Sequence, residues 1–323
     1  MTVTGIKKKS LPRKEKQPKT LRKGTWRKDI HDNYELYLLS IPAVIFFIIF
    51  CYLPMYGVQI AFRDFIPSQG ITGSEWVGMM NFKRFFRSYN FKLLLGNTLK
   101  ISIYQILFGF PCPIILAIML NELRNSKFKK VVQMVTYAPH FISAVAIVGM
   151  LNIFLSPSSG IINHLIVLLG GEPIYFMSNP EYFRTIFVSS GIWQSVGWGS
   201  IIYVATLSGI DPQLGEAATI DGANKLQRIW NVDIPGIMPT MVIMLIMRVG
   251  HVMSVGFEKI ILMQNDLNMA TSDVISTYVY RCGLINADYS FSAAVGLFNS
   301  VINLILLISV NHICKKLNNT SLW

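Results

Sequence analysis

The chain has 323 residues, of which 52% are hydrophobic and only 14% are charged. Soluble domains carry about 25% charged residues, so the composition excludes an ordinary soluble domain and indicates an integral membrane protein. The net charge of +12 is concentrated, with eleven lysines and arginines in residues 1–35. Such a segment suits nucleic acid, but beside long apolar runs it is more typical of a tail that orients a membrane protein.

The beginning of the chain predicts a basic tail followed by a single membrane domain. Residues 1–30 are charged and contain prolines, which favours disorder, and the membrane domain is predicted at 31–323. The first apolar run is too long for the apolar region of a signal peptide, and no A-x-A cleavage site follows it. We therefore expect this run to remain as a membrane anchor.

Six apolar runs are long enough to cross a bilayer, which requires about 20 residues. They include some proline, glycine and polar residues, which membrane helices tolerate when their neighbours satisfy the freed backbone groups. The predicted fold class is therefore an all-α integral membrane protein with about six transmembrane helices. The predicted spans are 36–61, 97–121, 131–155, 186–210, 239–262 and 291–314.

Basic residues favour one side of the membrane. With six spans, the tail, the basic link at 122–130 and Lys315-Lys316 fall on the same side as the loop at 211–239. The positive-inside rule makes that side cytoplasmic, so both termini are expected in the cytoplasm. The outside loop at 62–96 also carries several lysines and arginines, which makes the bias incomplete.

The loop between the fourth and fifth runs begins with the signals of a short helix. Asp211 is a good N-cap and Pro212 suits the first turn, where its missing N–H is not needed. These signals predict a helix over 214–220. Gly222 is suited to end it, because glycine takes φ > 0 without a Cβ clash.

A second helix is predicted after the bend. Asp221 is the predicted cap of a helix at 223–231, and Pro235 and Pro239 are expected to stop it and start the next span. The loop would then be a helix, a sharp bend and a second helix. Such a projection can seat closely in a groove of another protein.

The same loop carries a spaced motif, E-A-A-x-x-x-G followed nine residues later by V-x-I-P. It resembles the cytoplasmic EAA loop of ATP-binding-cassette (ABC) importer permeases, where the second element is I-x-L-P. The tripeptide alone occurs in many helices, and the alternative is an ordinary connector, but the full spacing between two spans is specific. The resemblance implies docking to an ATPase subunit through Glu216, Ala217, Ala218, Asp221, Gly222 and Pro235.

The resemblance extends from about residue 30 to the end of the chain. The matching segments look like sugar-type permeases that import polysaccharides and oligosaccharides, including alginate-like uronides and pectic fragments. It implies the type I importer permease fold, a multi-pass place in the bacterial inner membrane, a second similar permease, two ATPase subunits and an extracytoplasmic solute-binding protein. The segments are Tyr52–Gly57, Asn121–Arg124, Ala138–Ser143 and Asp273–Arg281.

Catalytic signatures are missing from the sequence. There is no G-x-x-x-x-G-K-[ST], so ATP and Mg are expected on the separate ATPase, with no cofactor on this chain. No H-E-x-x-H or G-x-S-x-G occurs, and the four scattered cysteines predict neither disulfides nor a metal site. A membrane-embedded enzyme and a secondary carrier remain the alternatives. A carrier would usually need an acidic or histidine relay within the bilayer, and the acidic residues are predicted in loops.

Two ionisable residues point to a substrate path. Arg248 is predicted about ten residues into the span that follows Pro239, close to the bilayer midplane, with His251 one turn further along the same face. An arginine there costs several kcal/mol unless it faces a partner or water. It either lines the path and meets a polar or anionic sugar, or it pairs with another span or with the second permease.

Aromatic and amide side chains in the fourth and sixth spans are further candidates for the path. Aromatic faces stack on sugar C–H surfaces, and amides hydrogen-bond to hydroxyl groups. Each residue could equally be a contact between helices or, for tryptophan, an interfacial anchor. These candidates are Trp193, Gln194, Trp198, Asn299 and Asn303.

Overall fold

The computed structural model describes residues 30–318 and 321–322. The tail predicted at 1–30 therefore lies, apart from its last residue, outside the described residues. The chain divides into two compact units, the first ending at Gly57 and the second beginning at Val58. The division falls close to the end of the first predicted span.

The first unit is helical. It contains α1 (Tyr34–Phe47), a π-helical turn (Ile48–Tyr52) and α2 (Leu53–Met55). None of these three elements has a buried residue, although α1 is strongly apolar. An apolar helix that buries nothing in its own chain is suited to contact with lipid.

The second unit is also almost entirely helical, apart from one small hairpin. Strands β1 (Arg63–Asp64) and β2 (Glu75–Trp76) pair antiparallel, with Arg63 opposite Trp76. The helices are α3 (Gly70–Gly73), α4 (Met80–Arg87), α5 (Asn90–Leu107), α6 (Pro111–Glu122), α7 (Ser126–Tyr137), α8 (Ala144–Phe154), α9 (Ile161–Leu168), α10 (Pro180–Ser208), α11 (Pro212–Ile220), α12 (Lys225–Arg228), α13 (Ile234–Val249), α14 (Phe257–Met263), α15 (Met269–Ser272), α16 (Ile275–Tyr280) and α17 (Tyr289–Asn318). The remaining turns are the 3₁₀ turns Tyr56–Phe62 and Ala138–Phe141 and the π turns Ile229–Asp233 and Arg281–Ile285.

Four helical stretches in the described part of the chain are long and apolar enough to cross a membrane: Tyr34–Phe62, Asn90–Glu122, Lys225–Val249 and Tyr289–Lys316. A fifth span results if Ser126–Phe141 and Ala144–Phe154, which are bent by 100° at their junction, form a single span. The third predicted run is therefore broken rather than straight.

The fourth predicted run lies within α10, which is 29 residues long. At a rise of 1.5 Å per residue this helix is about 43 Å long, enough to cross a bilayer. Its serines, glycines and other polar residues leave it less apolar than the other spans. This helix is long enough for a span and has buried residues, but its hydropathy alone does not mark it as one.

The bounds predicted for the fifth span were wrong. The helix begins at Lys225, inside the predicted loop, and ends at Val249, while α14 is a separate short helix. Gly250 caps the end of this helix. A Cβ there would come 2.6 Å from Leu307 Cδ1, so the chain packs closely against α17 where the helix ends.

Helix α10 holds much of the core. Phe187 and Val188 share a buried cluster with Ile101 of α5 and Ile260 of α14. Further along, Gly197 packs directly on the Thr136 carbonyl, and a Cβ on Gly199 would lie 3.2 Å from Pro113 Cγ. Gly197 and Gly199 thus let α10 pack closely against α7 and α6.

Candidate translocation cavity and coupling loop

A cavity of about 690 Å³ lies where five segments converge. Gln105 comes from α5, Gln194 from α10, Arg248 from α13 and Lys259 from α14, while Ser143 directly precedes α8. The walls combine apolar surface with amide, hydroxyl and charged groups. This combination suits a polar organic solute.

Arg248 lines this cavity, but it lies in the last turn of α13 rather than in the middle of a span. The predicted midplane depth was inferred from the wrong span bounds. The side chain is exposed, and its Nη2 donates to the Gln105 carbonyl at 3.4 Å. No carboxylate of the described residues lies within 4 Å of it. The guanidinium therefore has no counter-ion among the described residues.

Gln194 and His251 lie near Arg248 in different ways. Gln194 lines the same cavity and donates through Nε2 to the Ile142 carbonyl at 3.0 Å. His251 lies beyond the end of α13, so the predicted continuation of one helix face is wrong. Its Nδ1 donates to the Met247 carbonyl at 2.9 Å, and it lines a neighbouring cavity of about 350 Å³ that Arg248 also borders.

The other candidates for the path lie elsewhere. Trp193 faces a separate apolar cavity with Phe154, and Trp198 stacks on His140 with ring centroids 4.5 Å apart. Asn299 borders another cavity, beside Tyr280. The structure therefore brings Arg248 and Gln194 to one cavity. Trp193, Trp198 and Asn299 do not line that cavity.

Asn303 links α17 to the turn after α13. Its Oδ1 accepts from the backbone N–H of Met253 at 2.9 Å, and its Nδ2 donates to Ser254 Oγ at 3.0 Å. This geometry matches the alternative of a contact between helices. The turn at 250–256 is thus held by a side chain from the last span.

Lys259 is the cavity residue that the sequence reasoning missed. It is 9% exposed, and its Nζ donates to Ser190 Oγ at 2.8 Å and reaches the Phe187 carbonyl at 3.5 Å. Burial lowers the pKa of this ammonium group to about 8, so it stays mostly protonated at neutral pH. A lysine inside a predicted apolar run was the available signal, since charges in such runs mark functional positions.

The first helix of the loop forms as predicted. Asp211 caps α11 by accepting from the Gln213 backbone N–H at 3.0 Å, and Pro212 opens the helix. Gly222 has φ of +82° directly after the helix, which confirms the predicted bend. The bend therefore rests on a conformation that residues with a Cβ rarely adopt.

The second helix differs from the prediction. It starts at Lys225, and its cap is Asn224 rather than Asp221, because Asn224 and Gln227 form a reciprocal capping box. The helix does not stop at Pro235 but continues through a π turn into α13, with Pro239 also inside it. The altered hydrogen-bond pattern of a π turn explains how the helix accommodates the first proline.

The loop presents an exposed surface of mixed character. Glu216, Ala217, Asp221, Gly222 and Pro235 are exposed, and Ala218 is half-buried. Large apolar side chains are also exposed on the loop, a feature that the motif alone did not reveal. They are Leu214, Ile220, Leu226 and Trp230. Exposed apolar side chains of this size are common on surfaces that contact other proteins.

The base of the loop is tied to the second span by an ion pair. Arg228 Nη2 donates to Glu122 Oε1 at the end of α6. Both residues border a groove of about 570 Å³ that also contains Glu216 and the buried Asp233. The loop is therefore connected to α6 as well as to α13.

A helical membrane subunit with a solute-sized cavity and an exposed, motif-bearing loop has the features of a permease. Residues 109–319 match the family described as "binding-protein-dependent transport system inner membrane component". The chain belongs to this family. It is therefore an inner-membrane permease component of a transport system, and the predicted resemblance to ABC permeases is confirmed.

Close relatives cover nearly the whole chain. It is 42% identical to Protein LplB of Bacillus subtilis (strain 168) over 316 residues, which cover 97% of this chain and 99% of that protein. It is also 42% identical to the polygalacturonan/rhamnogalacturonan transport system permease protein YteP of the same organism, over 94% of this chain and 95% of that protein.

Solved structures show the same fold. A chain of a bacterial alginate ABC transporter, in complex with a periplasmic protein bound to alginate pentasaccharide, superposes with a TM-score of 0.85 at 40% identity, covering 93% of this chain and 100% of that one. A chain from a transporter that imports the acidic polysaccharide alginate gives 0.84 at 41% identity, covering 90% and 99%. The predicted all-α permease fold is thus confirmed.

Proposed function

We propose that this chain is one of two permease subunits in an ATP-driven importer and that its solute is an acidic oligosaccharide or polysaccharide. The observation that carries the proposal is the 690 Å³ cavity, in which Arg248 and Lys259 have no carboxylate partner within 4 Å among the described residues. A polar cavity with unpaired cations favours an anionic solute over a neutral one.

The names of the relatives support the same class of solute. YteP is named for polygalacturonan and rhamnogalacturonan, and the structural relatives import alginate. A guanidinium binds a carboxylate through two parallel hydrogen bonds, which Arg248 can offer to a uronide. We take delivery to be the work of a solute-binding protein outside the membrane, as the family description implies.

ATP hydrolysis is assigned to separate ATPase subunits that dock on the loop. The exposed Glu216 and Ala217, together with exposed apolar side chains such as Ile220, give the loop a surface suited to a groove on another protein. ATP and Mg are then bound by that partner. The loop and both termini are placed in the cytoplasm on the grounds of their basic residues.

In the proposed cycle, the ATPases move the loop and the loop moves the spans. Because α12 and α13 belong to one continuous helix, displacement of the loop acts directly on the segment that carries Arg248. Rigid elements of this kind convert a local push into a change of access to the cavity.

Arg248→Gln and Arg248→Lys test the solute assignment. In proteoliposomes with the complete complex, Arg248→Gln is expected to lower uptake of tetragalacturonic acid by about tenfold, a loss of roughly 1.4 kcal/mol of binding. Arg248→Lys should restore it only in part, since lysine lacks the bidentate geometry. Assembly is checked by size-exclusion chromatography.

Two outcomes contradict this proposal. If the wild-type complex imports only neutral oligosaccharides, the solute is not acidic. If Arg248→Gln prevents assembly while the assembled fraction transports normally, Arg248 is a structural residue. Lys92→Gln, a change at an exposed lysine near the start of α5, is the matched control for removal of a positive charge.

A further inference from the structure

We propose that Lys259 is a specificity-determining residue of this importer and that its ammonium group binds a carboxylate of the solute inside the cavity. The proposal deepens the function proposed above and rests on it. Arg248 was singled out from the sequence, whereas Lys259 is identified by the structure alone. The two residues lie on different helices, α13 and α14, and line the same cavity.

The first argument is that Lys259 is buried without a counter-ion. It is 9% exposed, and no carboxylate of the described residues lies within 4 Å of its Nζ. A buried charge is strongly unfavourable unless something pairs with it. Its permanent contacts are the neutral Ser190 hydroxyl, the Phe187 carbonyl at 3.5 Å and the Phe187 ring at 5.4 Å. These contacts hold the ammonium group but leave its charge uncompensated.

The second argument is that the ammonium group keeps a free donor. An ammonium has three N–H groups, and Lys259 uses one on Ser190 at 2.8 Å and directs one weakly at Phe187. Ser190 in turn donates to the carbonyl of Ile186, which orients its hydroxyl oxygen to accept from the lysine. The remaining N–H is available to an incoming acceptor.

The third argument is that space beside the charge is kept open. Gly191 lines the cavity, and a Cβ added there would lie 3.9 Å from Lys259 Nζ. Gly109 also lines the cavity, and a Cβ added there would meet the Gln105 carbonyl at 2.6 Å and Arg248 Nη2 at 3.1 Å. Each cation thus has a glycine at its side in the cavity wall. A large side chain at Gly191 would extend into the space beside the ammonium group.

The charges of the cavity wall indicate the sign of the ligand. The charged residues that line it are Arg248, Lys259 and Glu258, which give a net charge of +1. Glu258 is exposed, while Lys259 is buried on the adjacent position of α14. The buried part of the wall is therefore positive, and a solute with more than one carboxylate can contact both cations.

Discrimination between solutes follows from the same geometry. A carboxylate offers the buried ammonium group a charged acceptor, whereas a neutral sugar leaves its charge unpaired. Sites built around a specific polar partner reject analogues that lack it far more strongly than apolar pockets reject a missing methylene. Lys259 is therefore expected to set the preference for acidic over neutral oligosaccharides.

The test measures this preference directly. Proteoliposomes with the complete complex are supplied with tetragalacturonic acid or with its carboxyl-reduced, neutral counterpart of equal length. Lys259→Met should lower the ratio of acidic to neutral uptake by about tenfold or more, the effect of losing one charged contact. Lys259→Arg should keep most of the preference, and the control Lys92→Met should leave it unchanged.

A second variant separates charge from folding. Gly191→Val retains Lys259 and fills the space beside it, so it should also lower acidic uptake more than neutral uptake. If Lys259→Met does not assemble, the ratio for Gly191→Val decides the question. An unchanged ratio in an assembled Lys259→Met complex, or in Gly191→Val in its place, overturns the assignment of Lys259 while leaving the acidic solute intact. Failure of the wild-type complex to import the acid overturns both proposals.

Discussion

Asparagine side chains of α17 show how similar residues in one helix can have different roles. Asn303 satisfies the Met253 N–H and Ser254 Oγ, whereas Asn299 Oδ1 is buried with no hydrogen-bond partner among the described residues. Both were singled out from the sequence for the same reason. Their positions in the span did not show which amide is used in hydrogen bonds within the chain and which has an oxygen without a partner among the described residues.

This difference predicts opposite effects of the same substitution. Asn303→Leu leaves a backbone N–H unpaired and should destabilise the chain by about 1–3 kcal/mol, while Asn299→Leu should cost much less. The melting temperature of the detergent-solubilised complex measures both. If the two variants have the same melting temperature, the hydrogen bond from the Met253 N–H to Asn303 does not stabilise the turn at 250–256. A loss of transport in Asn299→Leu at unchanged stability would instead place that amide on the solute path.

At the level of single residues, the sequence was a more reliable guide to the types of functional side chain than to their positions. Arg248 lines a cavity, but its predicted depth was wrong because the predicted span bounds were wrong. Lys259 also lies in a predicted apolar run, but its position in the cavity wall emerged only from the structure. Hydropathy averages over a window and does not show that the helix ends at Val249.

Among the elements, the coupling loop was the most predictable. Local signals fixed by a few neighbouring residues, such as the Asp211 cap and the bend at Gly222, were confirmed. The second helix was not, because Asn224 with Gln227 forms a better cap than Asp221, and because a π turn carries the helix past Pro235. Caps and bends can be predicted from the sequence when few residues compete for the role. The choice between competing caps, and the place of a π turn, depend on the surrounding structure.

Gly222 provides the test at this level. Its φ of +82° is strained for residues with a Cβ, although no atom lies within 4 Å of a Cβ built there. Gly222→Val should therefore disturb the bend by about 1–2 kcal/mol through backbone conformation alone, and Gly222→Asn, which tolerates this region, should disturb it less.

The readout is the amount of uptake per ATP hydrolysed by the assembled complex. Gly222→Val is expected to lower this ratio and Gly222→Asn to retain most of it, with both chains inserted in the membrane. Equal coupling in the two variants and the wild type would show that the bend is not part of the transmission. The control is Lys92→Met, a change at an exposed lysine far from the loop in sequence.

At the scale of the whole molecule, one span connects the motif-bearing loop at one end to the cavity at the other. The helix from Lys225 to Val249 is continuous, begins in the loop and ends beside Arg248, and Arg228 ties its start to α6. The composition predicted a membrane protein and the motif predicted the family, both of which are confirmed. The connection between loop and cavity could not be predicted from the sequence, because the fifth span was predicted to begin only after the loop.

The central claim is that force applied to this loop moves solute through this cavity in one direction. The most direct measurement is accumulation of tetragalacturonic acid in proteoliposomes containing the complete complex, with the side of the loop established by impermeant labelling of Asn224→Cys in a cysteine-free chain. The account predicts accumulation only when ATP is present on the side of Asn224 and the loaded binding protein on the opposite side. Accumulation that does not require ATP, or that requires ATP on the side opposite Asn224, would contradict it.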